Sequence, residues 1–286
     1  MAAAWGGTFI AGRVVAPEVP HLLAAAGRFV VASACLLVLV RRVEGRLPRL
    51  DRGQLLGTAL LGATGVLLYN LFFLGALGRM PASRTALLVA LNPGTTALLA
   101  WAAFRERLGP VRWAGIALAF LGVVVVLSRG RPSSLFTGGV GAGEAMMMAG
   151  VLSWAVYTVL GRPILARLSP LATTTWASLW GASGLLLGAA VEHLLAPGWR
   201  PADLRPVHLL AIAYLGVVGT VMGFVWYYQG VQRLGPARAA VFTNLVPVFG
   251  VLLGVTLLAE PLHWSMVAGG LVALAGVTLV NLPGRA

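Results

Sequence analysis

The stretch PVRWAGIALAFLGVVVVLS, residues 110–128, decides what kind of protein this is. After Arg112 it has no charged residue, and its Leu, Val, Ala and Gly residues form one continuous apolar run. A membrane-spanning helix needs about 20 mainly apolar residues, because each residue rises about 1.5 Å and the hydrocarbon core is about 30 Å thick. A strand of a membrane barrel would instead alternate apolar and polar side chains. The stretch therefore predicts a helix that crosses a membrane.

The rest of the chain has the same character, since 59% of its 286 residues are hydrophobic, only 10% are charged and the mean hydropathy is +0.89. Such a composition is too apolar for a surface that faces water. Because helices satisfy their own backbone hydrogen bonds in lipid, we predict an all-α integral membrane protein with ten transmembrane helices. The predicted spans are residues 1–16, 20–43, 53–77, 81–104, 110–128, 142–161, 170–192, 206–231, 236–259 and 262–282.

The formal charge of +13 does not indicate a nucleic-acid-binding protein, because all 21 basic residues are arginines scattered among the apolar runs. Most of these arginines fall in connections on the side of the N-terminus, and basic residues in short loops favour the cytoplasm. We therefore expect a multi-pass protein of the cell (inner) membrane with both termini in the cytoplasm. The single cysteine, Cys35, excludes a disulfide framework. The four histidines show no metal-ligand spacing and no predicted span has a central carboxylate, so neither an enzyme nor a cofactor is expected.

The sequence contains an internal repeat. Shifted by 154 residues, the sequence superposes several Arg, Pro, Glu and Gly residues that a Leu- and Ala-rich composition would not match by chance. The matched pairs are Gly62 and Gly216, Gly65 and Gly219, Arg79 and Arg233, Arg84 and Arg238, Pro93 and Pro247, Glu106 and Glu260, Gly115 and Gly269, and Gly122 and Gly276. Five spans per copy give two inverted-topology five-helix repeats, residues 1–128 and 142–286, joined by residues 129–141. Such repeats place a solute site near the membrane midplane at their interface.

Three short motifs occur in this arrangement: Trp5-Gly6-Gly7-Thr8-Phe9, Asn92-Pro93 and Ala259-Glu260-Pro261-Leu262. In this order and spacing they resemble the EamA family of the drug/metabolite transporter superfamily, over essentially the whole chain. The resemblance implies a ten-span exporter of small organic metabolites, most like the aromatic amino-acid exporters. The proline that follows Glu260 is absent after Glu106, which departs from the pattern.

The candidate solute-binding residues are the polar and aromatic groups that the pattern places inside the spans. Trp5 and Trp154 have matched positions in the first span of each repeat, about 12 Å inside the helix end at about 1.5 Å per residue, which is too deep for an interfacial belt. Large aromatic faces suit aromatic solutes and ammonium groups. The complete set is Trp5, Tyr69, Asn70, Phe73, Asn92, Trp154, Tyr157 and Asn244 for binding, with Pro93 and Pro247 as kinks. The alternatives are that the aromatic side chains pack between helices and that the asparagines satisfy carbonyls freed by the kinks.

The mechanism expected from these features is alternating access around a midplane cavity lined by spans one, three, four, six, eight and nine. Because Arg28 is the one ionisable residue deep in a span and keeps its proton, we expect a facilitator without proton coupling. Gly115 and Gly122, with Gly269 and Gly276, predict that spans five and ten pack at the periphery and support a homodimer. The partners are then a small-molecule solute, amino acids above all, and the lipid bilayer. An exporter of drugs or other metabolites and an uncoupled pore stay open as alternatives.

Overall fold

The chain folds into helices throughout the described residues of the computed structural model, which are 1–105, 108–129, 141–195, 199–200, 203–224, 226 and 243–281. Within these ranges there is no β-strand. The helices, numbered in chain order, are α1 Ala2–Val15, α2 His21–Glu44, α3 Arg52–Leu77, α4 Ala82–Phe104, α5 Pro110–Leu127, α6 Ala142–Leu165, α7 Pro170–Leu195, α8 Pro206–Met222, α9 Leu245–Leu258 and α10 Trp264–Val280.

Six of these helices, α2 to α7, are long and apolar enough to cross a membrane. Helices α8, α9 and α10 are apolar but shorter within the described residues, and α1 has 14 residues. The protein is therefore a multi-pass membrane protein. The number of ten spans stays a prediction, in part because most of the connection 129–141 and the start of predicted span nine lie outside the described residues.

The outer surface carries large apolar side chains that a water-soluble protein would bury. Leu187 is 69% exposed, Leu194 is 77% exposed and Leu210 is 71% exposed, each on a different face or level of the bundle. Contiguous exposed apolar surface of this kind marks a partner or a membrane. Together with the helix lengths, it indicates that these side chains contact lipid.

Helices α3 and α8 each contain a segment with π-helical hydrogen bonding, at Gly62–Leu68 and Leu215–Met222. At the 154-residue offset of the sequence repeat, the first segment falls on residues 216–222 of the second. π-Bulges widen a helix by one residue and occur frequently at functional sites. Both segments lie beside the cavity described below.

The predicted kink at Pro93 is an interruption of the helix. Residues Ala82–Val89 and Asn92–Phe104 are helical, residues 90 and 91 form a turn, and Pro93 lies in the first turn of the second segment. Proline is tolerated there because first-turn N–H groups have no partner within the helix. Pro247 likewise lies in the first turn of α9, after a turn at Asn244. In the described residues each proline closely follows a turn in its helix, and the role of the two prolines as kinks or gates stays a prediction.

The glutamate of the motif Ala259-Glu260-Pro261-Leu262 caps the N-terminus of α4. Its two carboxylate oxygens accept hydrogen bonds from the backbone N–H groups of Ala82 at 2.7 Å and Ser83 at 2.9 Å. The first N–H groups of a helix lack partners within the helix, and a carboxylate there also interacts favourably with the helix dipole. The motif therefore joins the end of α9 to the start of α4. The matched Glu106 lies outside the described residues.

Helices α5 and α10 pack against each other through the glycines that the sequence singled out. A Cβ added to Gly122 would lie 2.4 Å from the backbone nitrogen of Ala273, and one added to Gly276 would lie 2.3 Å from the backbone nitrogen of Ala119. Glycine allows backbones to approach this closely. The glycine faces are thus buried between two helices of the same chain. Homodimerisation itself stays a prediction.

Candidate functional site

The helices surround a cavity of about 610 Å³. All ten residues proposed from the sequence lie along its wall: Trp5, Tyr69, Asn70, Phe73, Asn92, Pro93, Trp154, Tyr157, Asn244 and Pro247. They come from α1, α3, α4, α6 and the region at the start of α9, which are distant in sequence. The structure therefore brings the whole predicted set together, whereas their role in binding stays a prediction.

The wall of the cavity is broader than the six predicted spans. Helix α2 contributes Arg28 and Phe29, α7 contributes Thr173 and Thr174, and α10 contributes Leu274 among others. Arg112, at the start of α5, also lies along it. Helices α7 and α10 had no signal in the sequence, because their cavity-facing residues are mostly small or aliphatic and resemble ordinary packing residues.

One side of the cavity is formed by the aromatic cluster, defined as Trp5, Tyr69, Trp154, Tyr157 and Phe224. Trp154 is central, with ring centroids 5.0 Å from Tyr69, 5.2 Å from Tyr157 and 6.2 Å from Phe224. Phe224 also contacts Trp5 edge to face at 5.9 Å. Aromatic rings at these separations attract each other and offer flat apolar faces to a ligand. The cluster combines residues from both predicted repeats.

The indole N–H groups of Trp5 and Trp154 differ in their hydrogen bonding. The indole N–H of Trp5 donates to the carbonyl oxygen of Gly219 at 2.8 Å, in the π-helical part of α8. For the indole N–H of Trp154, no acceptor is found in the part of the chain that the structure describes. Trp5 is thus fixed to the opposite repeat, whereas Trp154 keeps a donor that a solute could use.

A buried arginine forms the polar part of the cavity. Arg28 is 7% exposed; its Nη1 donates to Asn70 Oδ1 at 2.8 Å, and its Nε donates to Thr220 Oγ1 at 3.1 Å. Asn70 in turn donates to the carbonyl of Val66, and Thr220 donates to the carbonyl of Leu215. Val66 lies in the first π-helical segment, and Leu215 and Thr220 lie in the second, so these segments position the arginine.

Arg28 and Thr220 were not among the residues proposed from the sequence. An arginine deep in a span is costly in lipid and almost always faces the protein interior, so Arg28 could have been found by that argument alone. Thr220 and Phe224 had no comparable signal. Their positions follow from the packing of α8 against α1 and α2.

Several buried polar atoms along the wall lack a hydrogen-bond partner among the described residues. They include Asn92 Oδ1, Asn244 Nδ2, Arg112 Nε and the hydroxyl oxygens of Thr173 and Thr174. Buried polar groups are nearly always hydrogen-bonded to protein, water or ligand. The amide oxygen of Asn92 is therefore available to a solute or to water.

The cavity wall, in the part of the chain that the structure describes, reaches one end of the bundle and not the other. At one end it is lined by Leu108, Arg112 and Leu165. At the opposite end, Arg13 donates to the carbonyl of Leu77, and Arg84 pairs with Glu144 at 3.1 Å in an almost fully buried ion pair. These contacts tie α1 to α3 and α4 to α6 at that end.

Comparison with known proteins shows a family relationship over nearly the whole chain. The profile described as "EamA-like transporter family" matches residues 1–128 and 141–282. An uncharacterized transporter of Bacillus subtilis is 30% identical over 88% of this chain and 82% of its own length. A probable amino-acid metabolite efflux pump of Salmonella typhimurium is 28% identical, covering 96% of this chain and 89% of its own.

Two further matches extend this result. A probable terminal-alkyne amino-acid exporter of Streptantibioticus cattleyicolor is 28% identical over 89% of this chain and 82% of its own length. A solved crystal structure superposes with a TM-score of 0.69 at 21% sequence identity, covering 99% of this chain and 95% of that chain, and so shares the fold. Helices that cross a membrane, a central cavity and the family profile together lead to one conclusion: this chain belongs to the EamA-like transporter family.

Proposed function

We propose that this protein exports small organic metabolites, amino acids including aromatic ones, by alternating access between two inverted repeats, residues 1–128 and 142–286. The single observation that carries the proposal is the cavity of about 610 Å³, whose wall combines residues of both halves and which stops short of one end of the bundle. Its volume lies in the range of about 300–1,000 Å³ that is typical of small-molecule sites.

The repeat relationship supports the alternating-access part of the proposal. The π-helical segments of α3 and α8 correspond at the 154-residue offset. Arg105 and Ala259, which end α4 and α9 in left-handed backbone conformation with φ of 53° and 51°, correspond at the same offset. In inverted repeats, rocking of one half against the other exposes the site to each side in turn. The closed end, with the ion pair between Arg84 and Glu144, would then open as the other end closes.

The aromatic cluster supports an aromatic substrate class. Trp154, Tyr69 and Phe224 present ring faces to the same cavity that holds Arg28 and the amide of Asn92. The names of the Salmonella and Streptantibioticus relatives, which refer to amino acids, point in the same direction. An exporter of drugs or other metabolites is the second candidate, because an apolar aromatic wall also accepts other flat molecules.

Reconstitution tests the function directly. The purified full-length protein in liposomes loaded with unlabelled phenylalanine should drive uptake of labelled phenylalanine by counterflow, with a rate that saturates. An uncoupled pore would give a flux proportional to concentration and no counterflow. Screening the other amino acids in the same assay would define the substrate range.

The topology is tested by cysteine labelling. In a Cys35→Ser background, Arg46→Cys lies after α2 and Arg79→Cys lies after α3, and both native arginines are exposed at opposite ends of the α3 helix. If the termini are cytoplasmic, a membrane-impermeant maleimide added to intact cells should label the cysteine at position 79 and not the one at position 46. Labelling of both positions from outside would contradict the proposed orientation of α3.

The mode of energy coupling follows from the chemistry of the cavity wall. Among the described residues, the wall contains no Asp, Glu or His, and the buried Glu144 is already paired with Arg84 at 3.1 Å. Proton-driven carriers need an ionisable group that binds and releases a proton inside the membrane. We therefore propose a facilitator whose net flux follows the solute gradient.

An imposed pH gradient tests this. In proteoliposomes with phenylalanine, whose net charge is nearly constant between about pH 5 and pH 6.5, we expect accumulation to stop at equilibrium with or without a gradient in that range. Accumulation beyond equilibrium that Glu144→Gln abolishes would show that the carrier is proton-coupled.

A further inference from the structure

Arg28 is a buried cation without a counter-ion among the residues that the structure describes. Its hydrogen bonds go to the neutral side chains of Asn70 and Thr220, and its guanidinium carbon lies 5.1 Å from the centre of the Phe29 ring. None of the carboxylates in the described parts of the chain forms an ion pair with it. A buried charge without a partner costs several kcal/mol of free energy, so such a residue indicates a functional site.

None of the described carboxylates lies along the cavity wall, and several of them have other partners. Glu144 pairs with Arg84, Glu18 pairs with Arg205, and Glu260 and Asp51 cap helices. The described wall of the cavity thus contains two arginines, Arg28 and Arg112, and no acidic residue. Low-dielectric walls with one sign of charge concentrate ligands of the opposite sign.

The guanidinium also has unused donors. Arginine has five N–H groups, and two of those of Arg28 are engaged by Asn70 and Thr220. Its Nη2 donates to no acceptor in the described ranges. Two N–H groups in a planar fork bind a carboxylate through two parallel hydrogen bonds. The unused N–H groups of Arg28 therefore have the arrangement that binds a carboxylate.

The unused N–H groups of Arg28 lie next to the aromatic cluster. A Cβ built on Gly219 would lie 3.9 Å from Arg28 Nη2, and the carbonyl of the same glycine accepts the hydrogen bond from Trp5. Asn70, which binds the guanidinium, is adjacent in sequence to Tyr69 of the cluster. A solute with a carboxylate on a short chain from an aromatic ring can thus contact both parts at once.

We infer that Arg28 is the specificity-determining residue of the cavity and binds the carboxylate of the solute, so that the transporter selects aromatic carboxylates and rejects aromatic amines that lack a carboxylate. This inference rests on the proposed function and deepens it by naming the recognised group. An amino group is then dispensable for binding, whereas the carboxylate is required.

Binding of two matched probes to the purified full-length protein tests the inference without any need for transport. 3-Phenylpropionate keeps the ring and the carboxylate of phenylalanine, whereas phenethylamine keeps the ring and the amine. Titration followed by tryptophan fluorescence should show saturable binding of 3-phenylpropionate, and an affinity for phenethylamine weaker by about thirtyfold or more, the usual effect of losing one partner of a buried charged pair. Equal affinities, tighter binding of the amine, or no binding of either probe at millimolar concentration would overturn the inference.

Substitutions assign the effect to one residue. Arg28→Gln should weaken 3-phenylpropionate binding by about thirtyfold or more, and Arg28→Lys, which keeps the charge and loses the fork, should weaken it less. Arg112→Gln is the comparison variant, because it removes the other arginine of the wall and should lower the preference for the carboxylate much less than Arg28→Gln does. If Arg112→Gln has the same effect as Arg28→Gln, the preference arises from the overall positive potential and the assignment to Arg28 is wrong.

The transport assay separates this inference from the proposed function. Carboxylate-selective binding without phenylalanine counterflow would contradict the proposed function and leave the assignment of Arg28 intact. Counterflow of phenylalanine that phenethylamine inhibits as strongly as 3-phenylpropionate would support the transporter and contradict the role of Arg28.

Discussion

Replacing Gly122 with alanine is expected to prevent most of the protein from being recovered in a folded state. The added methyl group would lie 2.4 Å from the backbone nitrogen of Ala273 and 2.5 Å from the carbonyl oxygen of Gly269. Backbone atoms of a helix cannot move aside as a side chain can, so α5 and α10 would have to separate along their whole contact. Overpacking costs about 1–3 kcal/mol and occasionally more, which is large beside a typical net stability of about 5–15 kcal/mol.

Thermal unfolding in detergent and the monodisperse fraction in gel filtration measure the effect. Gly161→Ala is the matched control: the chemical change is the same and also lies within a helix, but the nearest atom would be 3.9 Å away, which is an ordinary contact. We expect a large drop in the unfolding temperature and yield for Gly122→Ala and almost none for the control. Gly276→Ala, on the opposite helix, should repeat the loss. Equal stability of all variants would mean that α5 and α10 do not pack through these glycines.

Replacing Trp154 with alanine is expected to remove most of the transport of aromatic solutes while leaving the folded yield nearly unchanged. Trp154 contacts Tyr69, Tyr157 and Phe224, and all four side chains lie along the cavity. Removing the indole takes away the central face of the aromatic cluster and an indole N–H that has no partner within the described residues. A loss of about 1.4 kcal/mol of binding lowers affinity tenfold, and we expect at least that reduction in phenylalanine counterflow at low concentration.

Trp101→Ala is the matched control for this experiment. Trp101 is 46% exposed and contacts Trp113 edge to face at 5.7 Å, on the outside of the bundle and away from the cavity. The substitution removes the same side-chain volume and should change neither transport nor yield. If transport by the Trp154→Ala protein falls only in proportion to its folded yield, Trp154 is a packing residue and not part of the binding site.

Several residues of the candidate site could be predicted from local patterns in the sequence. Trp5 and Trp154 were found because they have matched positions in a repeat, and Asn92 because it precedes a proline inside an apolar run. Both patterns are local or depend on a fixed offset, so they can be read along the chain. All of these residues line the cavity. The interruption at Pro93 was expected as a bend, because the sequence does not show that the helix restarts there.

Other functional contacts had no such signal. Glu260 binds the backbone of Ala82, 178 residues away, and the spacing between the two residues follows no period. Arg28 is 42 residues from Asn70 and 192 residues from Thr220. The importance of each contact depends on which helices are neighbours, and a single sequence does not specify this.

The sequence by itself determined that the chain lies in lipid and is helical, because lipid requires long apolar runs whose backbone hydrogen bonds are local. It also predicted the repeat, because duplication leaves a constant offset. It also indicated that Gly115, Gly122, Gly269 and Gly276 serve a close approach of helices. Only the tertiary structure decided that these glycines face one another within one chain, and that Arg28 lies in the cavity beside two neutral partners. The physical reason is that burial and partners of a side chain depend on the packing of surfaces distant in sequence, whereas the preference for lipid is a property of each segment alone.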